Sequence, residues 1–363
     1  MHPLAHHMAA GVDVAEGRRI RVLIVDDSVV ARSVFERIVC QDKRLELCEK
    51  LASAADALAY LSKNQVDVIM LDIEMPGQSG LAALPAIIEQ GGKAKVIILS
   101  SNCDEGSAAA VEALAIGASE VMSKPGRSVF GGQFPEMLIE RLLRLGAQAS
   151  WQNRGERAPV VDLRRTGRRS AIACLGVGAS TGGIHALGQL FEGLGAGLNV
   201  PILLTQHLPP SFMPFFAMQL SRMTPMPVKI AEDGDMLRPN HVYIAPGEAN
   251  LTCRARRDGR VSVILDPERE PLASMPAVDP MFASMADAYG VGAVAVVLTG
   301  MGRDGTAGAE RIAAAGGWIV AQDAETSVIW GMPGSVARAG LASATLPPER
   351  MGAYMLSQTA KAA

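Results

Sequence analysis

The sequence predicts an α/β protein of two domains: an N-terminal five-stranded parallel (βα)5 unit and a C-terminal doubly wound, mostly parallel sheet with an antiparallel edge. Three observations carry this. Short apolar runs recur between helix-period segments, and they are continuous rather than alternating, as strands buried on both faces are. The alternation stops once, at a basic stretch, and then restarts. The chain has 363 residues, enough for two domains of ordinary size.

The elements follow in order. Strands are expected at RVLIVDD (21–27), LELCEKL (45–51), VDVIMLD (66–72), KVIILSS (95–101) and EVMSKP (120–125). Helix-period segments lie between them, and FPEMLIERLLRLGAQA (134–149) closes the first unit. The first domain is expected over 20–146, behind a disordered tail at 1–19. A linker is expected over 147–170, where SWQNRGERAPVVDLRRTGRRS sets six arginines against two acids and loses apolar periodicity. The second alternation, 171–357, has strands at AIACLGVG (171–178), PILLTQH (201–207), HVYIAPG (241–247), RVSVILD (260–266), AVAVVLTG (293–300) and WIVAQD (318–323). Helices are expected at 183–193, 212–223, 279–289 and 306–315, and hairpin-like strands in 225–275.

Composition narrows the classes. The net charge of −3 offers no nucleic-acid footprint. Five cysteines without a C-x-x-C spacing read as buried thiols in a reducing, cytoplasmic setting rather than disulfides or a zinc site. No apolar run approaches the roughly 18 residues that span a bilayer, so no membrane insertion is expected. The N-terminal stretch lacks the apolar core of a secretory signal.

In an open parallel sheet, ligands bind at the carboxyl ends of strands. Strand one ends in Asp26 and Asp27, strand three in Asp72, strand four in Ser100, and strand five in Lys124. Three carboxylates gathered there repel unless a hard cation neutralises them, and Mg²⁺ fits. A lysine and a hydroxyl beside them suit a phosphoryl group. The reading is phosphoryl transfer to a carboxylate, with Asp72 as acceptor because it is central.

In the second domain, GASTGG (178–183) follows an apolar strand and matches G-x-S-x-G, a strand-to-helix turn that exposes a serine. A phosphate-cradling loop and a plain turn compete with a nucleophile here. Position 181 is Thr where a dinucleotide loop needs Gly, and the next strand ends in Gln206–His207 rather than an acid for a ribose. A serine needs a base. His185 lies about 140° around the following helix and is read as a surface residue. His241 opens its strand at the opposite edge. His207 closes PILLTQH at the same edge as Ser180, and Asp304, in the loop after AVAVVLTG, can orient it.

GASTGG, TQHLPPSFMPFFAMQL, YIAPG, AVDPMF, LTGMGRDGTAG and AQDAETSVIWGMP follow one another behind an acidic-pocket domain. In this, residues 20–357 resemble the chemotaxis protein-glutamate methylesterase (CheB) family, with a response-regulator receiver at the front. The resemblance implies Asp72 as the phosphorylation site and Mg²⁺ held by Asp27, Asp72 and the Glu74 carbonyl, with Asp26 assisting. Ser100 and Lys124 become the receiver switch pair. Ser180, His207 and Asp304 become a triad, and the backbone at Thr181 and Met301 lines the oxyanion site. No cofactor is implied for the ester step. The implied partners are methylated chemoreceptors and a chemotaxis histidine kinase as phosphodonor. Ile184 stands where the family has proline, which marks that position for substrate preference. The methionines at 213, 218, 223 and 226 read as core filling before a receptor groove.

Overall fold

The computed structural model describes residues 18–100, 104–124, 134–153, 171–195, 198–268 and 274–360. The tail to residue 17, most of the 147–170 linker and Pro125 lie outside the described residues. Two compact units form: Met1–Leu99 with Lys124–Glu156, and Ser100–Ser123 with Arg157–Ala363.

The first sheet is built from β1 (Ile20–Val25), β2 (Leu45–Leu51), β3 (Val68–Asp72), β4 (Lys95–Ser100) and β5 (Glu120–Ser123), in the order β2-β1-β3-β4-β5. Strand β1 pairs in parallel with β2 and β3, and β3 with β4, with Asp72 opposite Leu99 at the shared carboxyl edge. The continuous apolar runs are explained by burial: every residue of β3 is buried, and β1 and β4 nearly so. The helices are α1 (Val29–Val39), α2 (Ala54–Leu61), α3 (Gly80–Gly91), α4 (Asp104–Ile116) and α5 (Phe134–Asn153). Ser28, Ser53 and Ser79 cap the first three, each hydroxyl accepting a backbone N–H three residues on. Helix α5 runs past the expected end of the first domain, because AQASWQN after Gly146 contains no breaker.

The second unit is built on seven strands: β6 (Cys174–Ala179), β7 (Ile202–Gln206), β8 (Val228–Ile230), β9 (Val242–Ile244), β12 (Ala293–Val297), β13 (Trp318–Gln322) and β14 (Ala342–Leu346). Their order is β14-β13-β12-β6-β7-β9-β8, all in parallel register. The expected antiparallel strands, β10 (Asn250–Ala255) and β11 (Val261–Asp266), pair with each other in a ribbon of their own. The helices are α6 (Gly183–Leu194), α7 (Met213–Met223), α8 (Val278–Tyr289), α9 (Thr306–Ala314), α10 (Met332–Arg338) and α11 (Pro348–Ala360). One buried cluster joins alternate residues of β12 and β13 to Val278, Met281, Phe282 and Met285 of α8, Ile312 of α9, and Leu251 and Val263 of the ribbon. Helix α8 lies very close to β6: a Cβ at Gly178 would sit 2.5 Å from a Val278 methyl.

Met213 and Met226 fill the core as expected, while Met218 is exposed. Ile184 is buried in the first turn of α6, so that position packs rather than facing substrate. Of the cysteines, Cys174 and Cys253 are buried, but Cys40 is exposed at the end of α1.

Candidate active site and phosphoacceptor pocket

At the carboxyl edge of the first sheet the strand ends converge as the topology requires. One oxygen each of Asp26, Asp27 and Asp72 lie within 4.8 Å of one another, with Asp26 and Asp72 buried and Asp27 exposed. Lys124 Nζ reaches in from the end of β5, 2.7 Å from Asp72 Oδ2 and 2.9 Å from Asp26 Oδ2. Asp72 Oδ1 accepts the Glu74 N–H at 3.1 Å, and Asp26 Oδ1 accepts the Ser28 N–H. These bonds fix the acidic loops around the cluster. Ser100 closes β4 and is buried.

Burial pushes the Asp72 carboxyl above its ordinary value, against the pull of the Lys124 hydrogen bond and charge. Burial would push the Lys124 ammonium down, but its hydrogen bonds to Asp72 and Asp26 outweigh that and hold it up. Three hard oxygen donors with a fixed ammonium suit a small divalent cation and an incoming phosphoryl group. The residues present therefore fit Mg²⁺.

The second site lies at the carboxyl edge of β6, β7 and β12. Ala179 pairs with Gln206, so Ser180 and His207 leave adjacent strand ends. The turn that carries Ser180 is pinned from three sides. Ser180 N–H donates to the Thr299 carbonyl at 3.0 Å, and Gln206 Nε2 donates to the Ser180 carbonyl at 3.0 Å. The Thr299 hydroxyl donates to the Thr181 carbonyl at 2.9 Å. The turn itself needs glycine at 182: its φ is +76°, and a Cβ there would lie 2.4 Å from a Val328 methyl.

His207 Nε2 lies 2.8 Å from Asp304 Oδ2. An ionised carboxylate only accepts, so Nε2 carries the proton and Nδ1 is left as the basic nitrogen. Among the described residues Ser180 Oγ makes no hydrogen bond, so the serine–histidine edge is open in this state; such bonds are often long before substrate binds. His185 is half-buried rather than on the surface. His241 Nδ1 is held at the Pro239 carbonyl. Neither is hydrogen-bonded to an acid among the described residues.

Asp304 is the most heavily bonded group in the site. Besides His207 it accepts N–H bonds from Val278 (2.8 Å), Asp279 (3.0 Å) and Gly305 (2.9 Å). Two of these donors form the N-terminus of α8, whose dipole favours a negative charge. Burial acts to raise this carboxyl, yet the His207 hydrogen bond and charge, with the backbone donors, hold it below the usual carboxylate range. Thr181 N–H has no acceptor among the described residues and follows Ser180 directly. Met301 is half-buried in the loop after β12, where Gly300 bridges Trp330.

The arrangement can deprotonate a serine, stabilise the resulting imidazolium and offer backbone donors to an oxyanion. The polar residues behind it, buried Thr299 and Gln206 and half-buried Asp279, were not singled out by the sequence. Their partners are backbone groups of distant segments, and the available signal was only their place in the strand-end motifs LTG, TQH and AVDPMF.

Comparison with known proteins agrees with this division. The family model for CheB methylesterase matches residues 175–355, and that for the response regulator receiver domain matches residues 22–129. The chain is 39% identical over 343 residues to protein-glutamate methylesterase/protein-glutamine glutaminase 2 of Caulobacter vibrioides, covering 93% of this chain and 99% of that one. It is 36% identical to the corresponding protein 1 of Rhodospirillum rubrum, over 95% of this chain and 96% of the other. Among solved structures, the Thermotoga maritima CheB methylesterase catalytic domain superposes with a TM-score of 0.50 at 37% identity, over 52% of this chain and 99% of that one.

Proposed function

The chain belongs to the CheB methylesterase family, and from that membership we propose that it is a phosphorylation-activated protein-glutamate methylesterase. It hydrolyses glutamate γ-methyl esters on chemoreceptors and deamidates receptor glutamines, in chemosensory adaptation. The observation that carries the site assignment is the 2.8 Å bond from His207 Nε2 to a deeply held Asp304, at the strand edge that also ends in Ser180.

Ser180 is the nucleophile. His207 Nδ1 takes the Ser180 proton as Oγ bonds to the γ-carbonyl carbon, and the carbonyl oxygen becomes an oxyanion beside the Thr181 and Met301 N–H groups. The C–O bond to methoxide breaks, and His207 returns the proton so that methanol leaves. Water then attacks the acyl-enzyme with His207 again as base, freeing the glutamate carboxylate and Ser180. With a glutamine substrate the leaving group is ammonia. Asp304 remains ionised throughout and stabilises the imidazolium.

At the carboxyl edge of the first sheet Asp72 accepts the phosphoryl group from a chemotaxis histidine kinase. Asp27, Asp72 and the Glu74 carbonyl would hold Mg²⁺, with Asp26 assisting; the cation supplies charge neutralisation for the transfer. Lys124 and Ser100 bind the phosphoryl oxygens and report the change. Among the described residues no helix is long and apolar enough to cross a membrane, and a cytoplasmic enzyme acting on the receptors' soluble portions is proposed.

The experiment is methanol release from a methylated receptor fragment. Ser180→Ala should lower kcat on the order of 10⁵-fold or more, as losing a serine nucleophile does. A variant within a few-fold of the intact enzyme would overturn the assignment.

A further inference from the structure

Helices α8 and α9 both begin without a cap of their own. Ala277 and Gly305 occupy the cap positions and make no side-chain bond. A helix start leaves four backbone N–H groups without intrahelical acceptors. At α8 all are accounted for. Ala277 N–H donates to Asn250 Oδ1 at 2.7 Å, Val278 and Asp279 N–H donate to Asp304, and Pro280 has no N–H. At α9, Gly305 N–H donates to Asp304 Oδ1 and Thr306 N–H to the Arg303 carbonyl. Gly308 N–H, in the first turn of α9, donates to Asp279 Oδ1 at 2.7 Å. Each acid thus caps the helix that the other belongs to or leads into.

We infer that Asp279 is a positioning residue for the triad: by capping α9 from α8 it holds Asp304 in register with His207. The inference rests on the esterase reading. Asp279 acts through Asp304 and is assigned no contact with substrate.

The packing allows little slack. Glycine at 308 is what lets the acid reach the N–H, since a Cβ there would lie 2.7 Å from the Asp279 carbonyl oxygen and 2.6 Å from Phe282 Cβ. Asp304 Oδ2 is shared between His207 and Val278 N–H, so a shift of α9 away from α8 strains both bonds together. Without the Asp279 carboxylate, the first turn of α9 loses an acceptor, and the loop carrying Asp304 loses its support on that side. A displacement of about 1 Å at a catalytic group costs on the order of 10²-fold.

The test uses the full chain and a methylated receptor fragment, with kcat and KM measured separately. Asp279→Ala should lower kcat about 10- to 100-fold, with KM within about twofold. Asp279→Asn keeps an oxygen for Gly308 N–H and should restore kcat to within about threefold of the intact enzyme. Asp279→Ser, too short to span the gap, replaces the alanine variant if that one does not fold, with the same loss expected. Ser284→Ala is the control for general destabilisation. Its hydroxyl accepts the Cys253 N–H, away from Asp304, and its loss should lower thermal stability with kcat unchanged. A folded Asp279→Ala with unaltered kcat overturns the inference, as does Asp279→Asn impaired as deeply as alanine. An intact enzyme that releases no methanol would instead overturn the esterase reading.

Discussion

Asp304 takes four hydrogen bonds, one from the His207 imidazole and three from backbone, so on the proposed triad its substitution has two separable consequences. Asp304→Asn should favour the wrong His207 tautomer and lower kcat on the order of 10⁴-fold. Its amide nitrogen would also face the N–H groups of α8, which should cost about 1–3 kcal/mol of stability, read from denaturant melts. An Asp304→Asn variant with kcat close to that of the intact enzyme would contradict the orienting role. Beside it, burial first and then the Asp304 charge push the Asp279 carboxyl up to about 6, against the Gly308 N–H bond. An unfolded aspartate titrates at about 3.9, so between these values the folded chain holds a proton that the unfolded chain has lost. The stability from this group is complete below about pH 4 and is lost as pH rises through about 6. Asp279→Asn removes the titration, so its Tm relative to the intact protein should rise from pH 4 to pH 7; a flat difference would show that Asp279 does not carry the raised value. That His207 and Asp304 meet was legible in the sequence because strand-end geometry is nearly fixed by topology. Asp279 was not, because its acceptor role depends on a backbone N–H 29 residues away. The expectation for Ile184 failed for a related reason: its direction is set by packing of the first turn of α6.

Among the elements, the strand-to-helix turn after β6 carries the most demanding backbone. Gly182 combines φ +76° with a neighbouring Val328 methyl that leaves no room for a side chain. Gly182→Ala should therefore cost about 1–3 kcal/mol and displace the Ser180 and Thr181 backbone, lowering kcat as well as Tm. A variant as active and stable as the parent would show that the turn is not strained. The long buried strands were readable from continuous apolar runs, because burial on both faces removes polar positions altogether. Elements that are less buried or very short were not. Strand β8 has three half-buried residues just after Pro227, and β10 ends in exposed Arg254 and Ala255, so neither sustains a period. Helix α10 spans seven residues and starts Met-Pro, too short for helical periodicity to show.

At the scale of the whole molecule, two strand edges share one chain: an acidic pocket, proposed to take a phosphoryl group, and an edge carrying Ser180, His207 and Asp304, proposed to cleave an ester. The family membership joins them as switch and catalyst. On the proposed function, the Asp72 carboxylate should be expendable for hydrolysis itself and indispensable for its control. The most direct measurement is the rate of methanol release from methylated receptor, with and without a small-molecule phosphodonor and Mg²⁺, for the intact chain, Asp72→Ala and Ser180→Ala. The account predicts stimulation of the intact chain, unchanged basal release without stimulation in Asp72→Ala, and no release above background in Ser180→Ala under either condition. Full stimulation of Asp72→Ala, or methanol release persisting in Ser180→Ala, would contradict it.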